Sequence, residues 1–284
     1  MITRFDHLVI AVRDLDIASE RFRALGFEVR PGGEHPGQGT HNAIIRFGLD
    51  YIELLAIRDE TEARAGGLSG VALVEYLRGR EWGMAGYALA TDDIESDAAR
   101  LKGSGISAVG PFAMSRQRPD GSTLAWRLLI PDGTPWRRPW PFLIQWETPD
   151  SERLSVEQPG THPNGVMRVL GALVTVRDLA STTDLYEHAL ELPRYPAAGL
   201  EGFGAVFSAG KTFIALGSQN DVAPTQQEGD GVYSVTLAAR DPVATAAWLA
   251  EHAIAPTHEV ESPTPRYSLD VGGVRFIIAT AQDE

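Results

Sequence analysis

Cysteine is absent from the 284-residue chain, which excludes disulfides, thiolate zinc sites and a cysteine nucleophile. A cysteine-free chain suits the cytosol, and a cytoplasmic protein is the expectation. No apolar run reaches the roughly 18–20 residues that a membrane helix needs. The opening residues Met1-Ile2-Thr3-Arg4-Phe5-Asp6-His7 lack the basic stretch followed by an apolar stretch that marks a secretory signal. No membrane partner is expected. Basic residues are outnumbered, 25 Lys and Arg against 38 Asp and Glu, for a formal net charge of −13. That balance argues against nucleic acid, whose phosphates call for a basic patch; the acidic excess reads as a solvated, self-repelling surface. No Gly-x-Ser-x-Gly elbow occurs. The pairs Gly32-Gly33 and Gly66-Gly67 lack the strand-to-helix spacing and the lysine of a phosphate cradle. What remains is ordinary globular composition, 43% hydrophobic and 22% charged, in a length that suits two domains.

A repeat is present. Ala11-Val12-Arg13-Asp14-Leu15 returns as Thr175-Val176-Arg177-Asp178-Leu179, with looser copies at Ala90-Thr91-Asp92-Asp93-Ile94 and Ala238-Ala239-Arg240-Asp241-Pro242. In each copy an apolar strand leads into an amphipathic segment, with Asp at the junction (Asp14, Asp93, Asp178, Asp241). A carboxylate there accepts the orphan N–H groups of a helix start and favours its positive end. The spacing predicts buried helix faces at Ile17, Phe22 and Leu25, closed by Gly26; at Ile94, Ala98 and Leu101; at Leu185, Ala189 and Leu192; and at Val243, Ala247 and Ala250,. β-rich runs follow each helix. In the first unit they are Phe27 to Arg30, Ala43 to Phe47 and Tyr51 to Leu55. In the second, strands flank a Pro119-Asp120-Gly121 turn and the unit ends in Phe142 to Trp146. The later units end in Thr212 to Leu216 and Val274 to Ala279. The expected architecture is α+β, four βαβββ modules in two cup-shaped sheets. The N-terminal domain is expected at 1–148, a Pro-, Ser- and Gly-rich linker at 149–165, and the C-terminal domain at 166–284. A second polar stretch, Gln219 to Gly231, separates modules three and four. Sequential pairing, one with two and three with four, is expected because sequence neighbours usually pack together.

Paired βαβββ modules resemble the vicinal-oxygen-chelate superfamily, which includes glyoxalase I, extradiol dioxygenases, methylmalonyl-CoA epimerase and the bleomycin- and fosfomycin-resistance proteins. Phe5-Asp6-His7-Leu8-Val9-Ile10-Ala11-Val12 resembles that family's first strand. Gly39-Thr40-His41-Asn42 with Tyr51-Ile52-Glu53-Leu54-Leu55, Arg118-Pro119-Asp120-Gly121 with Trp126, and Pro141-Phe142-Leu143-Ile144 resemble its glyoxalase-like subgroup. The match spans roughly Arg4 to Glu147; the second half is similar only in pattern. The resemblance implies one divalent metal (Zn, Ni, Mn, Co or Fe) on the concave face, ligated from the first and last strand of each module.

Strand alternation offers a check on that implication. Leu8, Ile10 and Val12 form the helix-facing side of the first strand, so His7, Val9 and Ala11 turn into the cup. By the same alternation Tyr51, Glu53 and Leu55 face inward, and His7 and Glu53 share the concave surface. The offset that relates Asp14 to Asp93 carries His7 onto Gly86, and Glu53 corresponds to Gln145, with Glu147 two residues on. The equivalents in the second half are Gly171, Ala215, Ser234 and Ile278, none of them a good divalent-metal ligand, so any site belongs to the N-terminal cup. Its expected metal ligands are His7, Glu53 and Gln145; Glu53 and Glu147 are the candidate proton-transfer groups. Candidate substrate contacts are His41, Arg116, Arg118 and Arg127, the arginines suiting a carboxylate or phosphate, together with Trp126, Trp136 and Trp140. The segment Pro131 to Pro141 reads as a lid or an interface plug. With Gly86 in place of a second histidine, extradiol chemistry is disfavoured, and strict glyoxalase I activity with it. Two readings stand: metal-assisted isomerase, epimerase or lyase chemistry on a small molecule, or non-catalytic sequestration of an apolar compound. A monomer or homodimer fits either.

Overall fold

The computed structural model describes residues 1–196, 203–219, 229–252, 254–259 and 264–280. The middle of the polar stretch between modules three and four, 220–228, lies outside them. The first half runs β1 (Ile2–Val12), α1 (Leu15–Ala24), β2 (Arg30–His35), β3 (Thr40–Arg46), β4 (Tyr51–Ile57), α2 (Glu60–Ala65), α3 (Leu68–Leu77), β5 (Trp82–Thr91), α4 (Ile94–Gly103), β6 (Ala108–Gln117), β7 (Thr123–Pro131), β8 (Phe142–Trp146) and α5 (Asp150–Val156). The second half runs β9 (Val166–Val176), α6 (Leu179–Asp184) with a π-helical turn (Leu185–Ala189), β10 (Ala205–Ala209), β11 (Thr212–Ser218), β12 (Gly231–Ala239), α7 (Pro242–Glu251), β13 (Thr257–His258), β14 (Tyr267–Val271) and β15 (Val274–Thr280).

Two curved sheets result. The first eight strands close into a barrel of order β1-β4-β3-β2-β6-β7-β8-β5, and the rest form a seven-stranded sheet of order β10-β11-β9-β12-β15-β14-β13. Pseudo-symmetry shows in the pairing: β1 lies antiparallel to β5, as β9 does to β12, and each is flanked by a parallel partner. The barrel closes on the other side through one pairing, Glu34 with Gln117 between β2 and β6. Among the described residues no helix is long and apolar enough to cross a membrane.

All four repeat aspartates cap helices. Asp14, Asp93 and Asp178 accept the N–H of Ile17, Ser96 and Ser181, and Asp241 accepts those of Val243 and Ala244. Gly26 stands at φ 78° after α1, with its own N–H on Arg23 and that of Phe27 on Phe22, the left-handed stop that glycine permits.

Several expectations need correction. Ile17 is exposed, and Ala18, Phe22 and Leu25 carry the α1 core face. In α7 the buried face is Thr245, Ala246 and Leu249, one step off the expected Val243, Ala247 and Ala250, which are exposed. In short Ala-rich helices a shift of one residue leaves the apolar count almost unchanged, so periodicity cannot choose the face. Phe27 to Val29 is irregular and the strand begins at Arg30, pinned by the β2–β3 hairpin register. Residues read only for their glycines hold α2 and α3, the first capped by Asp59. The Pro- and Ser-rich connector carries α5, which buries Arg153 completely.

The outward faces of β1, β4 and β5 do not meet water. Phe5, Leu8, Ile10, Ile52, Tyr87 and Leu89 join one apolar core with Val169, Tyr186, Phe207, Val235 and Phe276 of the second half. Phe22 of α1 meets Phe276 edge-on, the Tyr87 and Tyr186 hydroxyls bond to each other, and the half-buried Asp50 carboxylate accepts the Val169 N–H at 2.8 Å. The two sheets are therefore halves of one packed body.

Candidate active site in the N-terminal barrel

One of three irregularities in the β1–β5 ladder sets the face that His7 takes. The β1–β5 ladder slips between Phe5 and His7, where Asp6 is an extra residue. Such a bulge breaks alternation: Phe5 stays in the outer core with Leu8 and Ile10, while His7, Val9 and Ala11 face inward. Asp6 is left fully buried against the His7 ring, its Oδ1 2.8 Å from Nδ1. It also accepts from Arg4 at 2.7 Å and from the Trp146 indole at 3.0 Å. Burial alone would raise the Asp6 carboxyl; the His7 hydrogen bond and the Arg4 and Arg153 charges outweigh it and hold the group well below the usual carboxylate range,. An ionised Asp6 only accepts, so His7 Nδ1 carries the proton of this bond and Nε2 faces the barrel interior.

That interior holds a cavity of about 420 Å³. Its walls are apolar and aromatic, among them Leu55, Leu73, Phe112, Trp126, Trp136 and Phe142, and its polar residues include His7, His35, Asn42, Tyr51, Glu53 and Arg116. Leu68 and Val109 also line it while 75% and 47% exposed, so the mouth opens between the start of α3 and β6. Glu53 Oε2 stands 3.6 Å from His7 Nε2, and Glu53 Oε1 accepts the Asn42 amide at 2.5 Å. Across the same amide, His35 Nε2 lies 3.4 Å from Asn42 Nδ2 and 3.9 Å from Glu53 Oε1; its Nδ1 meets the Thr40 hydroxyl at 2.9 Å. Burial pulls the His35 imidazole down to about 4, against the nearby Glu53. His7 stacks on Tyr51 at 4.6 Å between ring centroids, with the Arg46 guanidinium on the same tyrosine. Burial, with Asp6 and Glu53 adding to it, keeps the Tyr51 phenol protonated far above its ordinary range.

Beside this cluster lies a buried charge network. Glu157, just after α5, bonds Arg116 and, at 2.7 Å, Arg46, with Arg153 at 3.6 Å. Burial would raise the Glu157 carboxyl, but the three guanidiniums prevail and lower it. Arg153 lies 3.6 Å over the Trp146 ring, in the range of a cation–π contact.

The expected site residues divide by strand parity. His7, Glu53, Arg116, Trp126 and Trp136 line the cavity. Gln145 does not: it accepts from Ile94 N–H and donates to Asp92 C=O, at the start of α4, and Glu147 is exposed beyond β8. The reason is register. Phe142 and Ile144 pair with Ala88 and Ala90 and share their inward face, leaving 143 and 145 outside. His41 points outward beside Glu34, because its neighbours Thr40 and Asn42 face in. Arg118 serves its own turn through Asp120 and Ser122, Arg127 pairs with Glu95, and Trp140 bonds the Pro131 carbonyl at the outer core. Trp136 donates to Ser69 C=O at 2.7 Å, tying the Pro131–Pro141 loop to α3. Sequence reasoning missed Asp6, His35 and Asn42. His35 ends the Gly-rich strand Arg-Pro-Gly-Gly-Glu-His, to which no face could be assigned without its hairpin partner.

A divalent ion of the family type does not fit these residues. Gly86 offers no donor, and the Pro135 carbonyl stands 2.5 Å from where its Cβ would be. Gln145 is turned away, and the Asn42 amide fills the space between Glu53 and His35 with N–H groups rather than lone pairs. Among the described residues no group of three His, Asp or Glu side chains is placed to hold a metal.

Paired βαβββ units around a concave, side-chain-lined chamber define a vicinal-oxygen-chelate protein. The chain belongs to the glyoxalase-like domain family, whose model matches residues 5–190. Among solved structures it is similar to a hypothetical protein from Staphylococcus aureus (18% identity, TM-score 0.72, covering 99% of this chain and 100% of that one). It also resembles a mutant of 4-hydroxymandelate synthase from Streptomyces coelicolor (14%, 0.63, 99% and 94%) and a Mn(II)-bound glyoxalase from Novosphingobium aromaticivorans (11%, 0.61, 100% and 83%). At these identities the likeness is one of fold. No curated protein matches in a sequence comparison.

Proposed function

We propose that the N-terminal barrel is the working half of a small-molecule enzyme that moves a proton next to a carbonyl, as an isomerase, epimerase or lyase does. One observation carries this reading: a carboxylate and an oriented imidazole, Glu53 and His7, stand 3.6 Å apart on the wall of an otherwise apolar chamber. A carbonyl compound whose apolar body lies against Trp126, Trp136 and Phe142 brings its acidic C–H toward them. Glu53 takes the proton, and His7 Nε2, its ring fixed by Asp6, is positioned to receive or return it. Asn42 holds Glu53 in place through its amide. The divalent metal expected from the resemblance would supply Lewis-acid stabilisation of an enolate, but it would retain only His7 and Glu53 as ligands, and the proton chemistry here is built without it.

The competing reading, sequestration of an apolar compound, draws on the loop carbonyl and Trp136 packed over Gly86, which replace chemistry with packing. Solvent deuterium uptake separates the two. With a panel of aryl- and alkyl-substituted 2-oxo acids and ketones followed by NMR, the enzyme exchanges a C–H proton in at least one. Glu53→Gln abolishes the exchange and Glu147→Gln leaves it intact. Saturable tryptophan quenching with no exchange in any compound selects the binder. Metal analysis of protein purified without chelator or nickel affinity tests the metal: a stoichiometric ion, lost in His7→Ala, would overturn the metal-free reading.

A further inference from the structure

Gly32 and Gly33 are adjacent residues of β2: the first leaves room for the Asn42 side chain, and the second, at φ 139°, for the Gln117 backbone carbonyl and the stem of Arg116. A Cβ at Gly32 would overlap the Asn42 Oδ1, and one at Gly33 would strike the Gln117 carbonyl and crowd the Arg116 side chain. The bare strip lets Asn42 from β3 and Arg116 from β6 lie against the same stretch of barrel wall. Both residues line the cavity, at 3% and 2% exposure. Each brings an unused group. Glu53 fixes which way the Asn42 amide points, since the carboxylate takes the N–H₂ side; its Oδ1 is then a buried acceptor with no donor among the described residues. Arg116 gives one N–H to Glu157, while its Nε is buried with no acceptor among the described residues. A buried polar group without a partner is costly. An orphan donor on a cation and an orphan acceptor, on two residues that line one cavity, ask for a ligand that supplies the two complements.

Charge points the same way. Glu157 is shared by three buried guanidiniums, those of Arg46, Arg116 and Arg153. The other buried carboxylates at this end of the barrel have partners of their own: Asp6 is committed to Arg4, His7 and Trp146, and Glu53 to the Asn42 amide, with His7 at 3.6 Å. We infer that the chamber takes a small organic acid with an apolar body, its carboxylate received by Arg116 and a neighbouring hydroxyl or amine donated to Asn42 Oδ1. The inference rests on the chamber being the binding site and names the class of molecule that enters it.

Quenching of tryptophan fluorescence, with Trp126 and Trp136 in the walls, reads binding directly. The probes are 3-phenyllactate, 3-phenylpropionate and the neutral 3-phenylpropan-1-ol. The expected order is phenyllactate, then phenylpropionate, then the alcohol, with about tenfold or more between acid and alcohol, the scale of one charge-assisted hydrogen bond. Arg116→Gln reduces the acid-over-alcohol preference to near unity, Asn42→Leu removes the advantage of phenyllactate over phenylpropionate, and Arg127→Gln, on the outer face, changes neither. If a variant fails to fold, the wild-type order still decides. Equal affinity for acid and alcohol overturns this inference while leaving the chamber reading intact. No binding by any of the three sinks both.

Discussion

At the scale of single residues, the cluster at His7 combines groups that strand alternation brings inward with one that a bulge exposes to them. Asp6 is the telling case: without the extra residue at position 6 it would stand on the far side of β1, and His7 would lose the acceptor that fixes its tautomer. Asp6→Asn should leave the ring in place but free its tautomer, lowering proton exchange by tenfold or more with little effect on ligand affinity. Equal losses in both would assign Asp6 to packing. His35 gives a prediction in pH. Its imidazole is held at about 4 by burial, below the ordinary value near 6.5, so the unfolded chain binds the extra proton first. The stability this site contributes is complete above about pH 6.5 and is lost as pH falls toward 4, by about 3 kcal/mol at most. Urea denaturation of the wild type and of His35→Gln between pH 7 and 4.5 should show the variant's pH slope shallower. Asp6 acts in the same direction only lower, because its depressed carboxyl contributes above its unfolded value near 4 and is lost below it.

At the scale of elements, α5 and β2 show how composition hides structure. A Pro-, Ser- and acid-rich connector reads as linker, yet α5 sends Arg153 to the barrel end, where no periodic apolar pattern announces it. Removing the carboxylate that three guanidiniums share should hurt more than removing one guanidinium. Glu157→Gln is expected to cost about 3–5 kcal/mol, while Arg153→Met, which keeps contact with Trp146 and leaves Glu157 paired to Arg46 and Arg116, costs distinctly less; denaturant midpoints decide. Gly32→Ala should displace the Asn42 amide, destabilise by about 1–3 kcal/mol and weaken ligand quenching, whereas Gly103→Ala at the end of α4, whose added Cβ meets nothing within 4 Å, should spare the quenching. The repeat, the four capping aspartates, the module order and the inward face of β1 and β4 were legible because each follows from local rules: a cap, a period of two, a recurring phrase. The face of β8, the role of β2 and the burial of Arg153 were not, because each depends on which strand or helix lies alongside, and the offset between modules carries no register.

At the scale of the whole molecule, one apolar core runs through both sheets. Unfolding should therefore be a single transition by fluorescence and by far-ultraviolet circular dichroism together. A chain ending at residue 165 should be insoluble or lack the native transition, since Tyr87, Phe22 and Leu89 would lose Tyr186, Phe276 and the rest of the second half. Two separable transitions would contradict the shared interior. That shared interior also constrains how such a chain can change over generations. The second sheet carries no chemistry at the positions matching His7 and Glu53, yet it cannot be discarded or freely remodelled: an altered side chain on its inner flank would be felt in the chamber next door, as a warped back wall misaligns a door in the front.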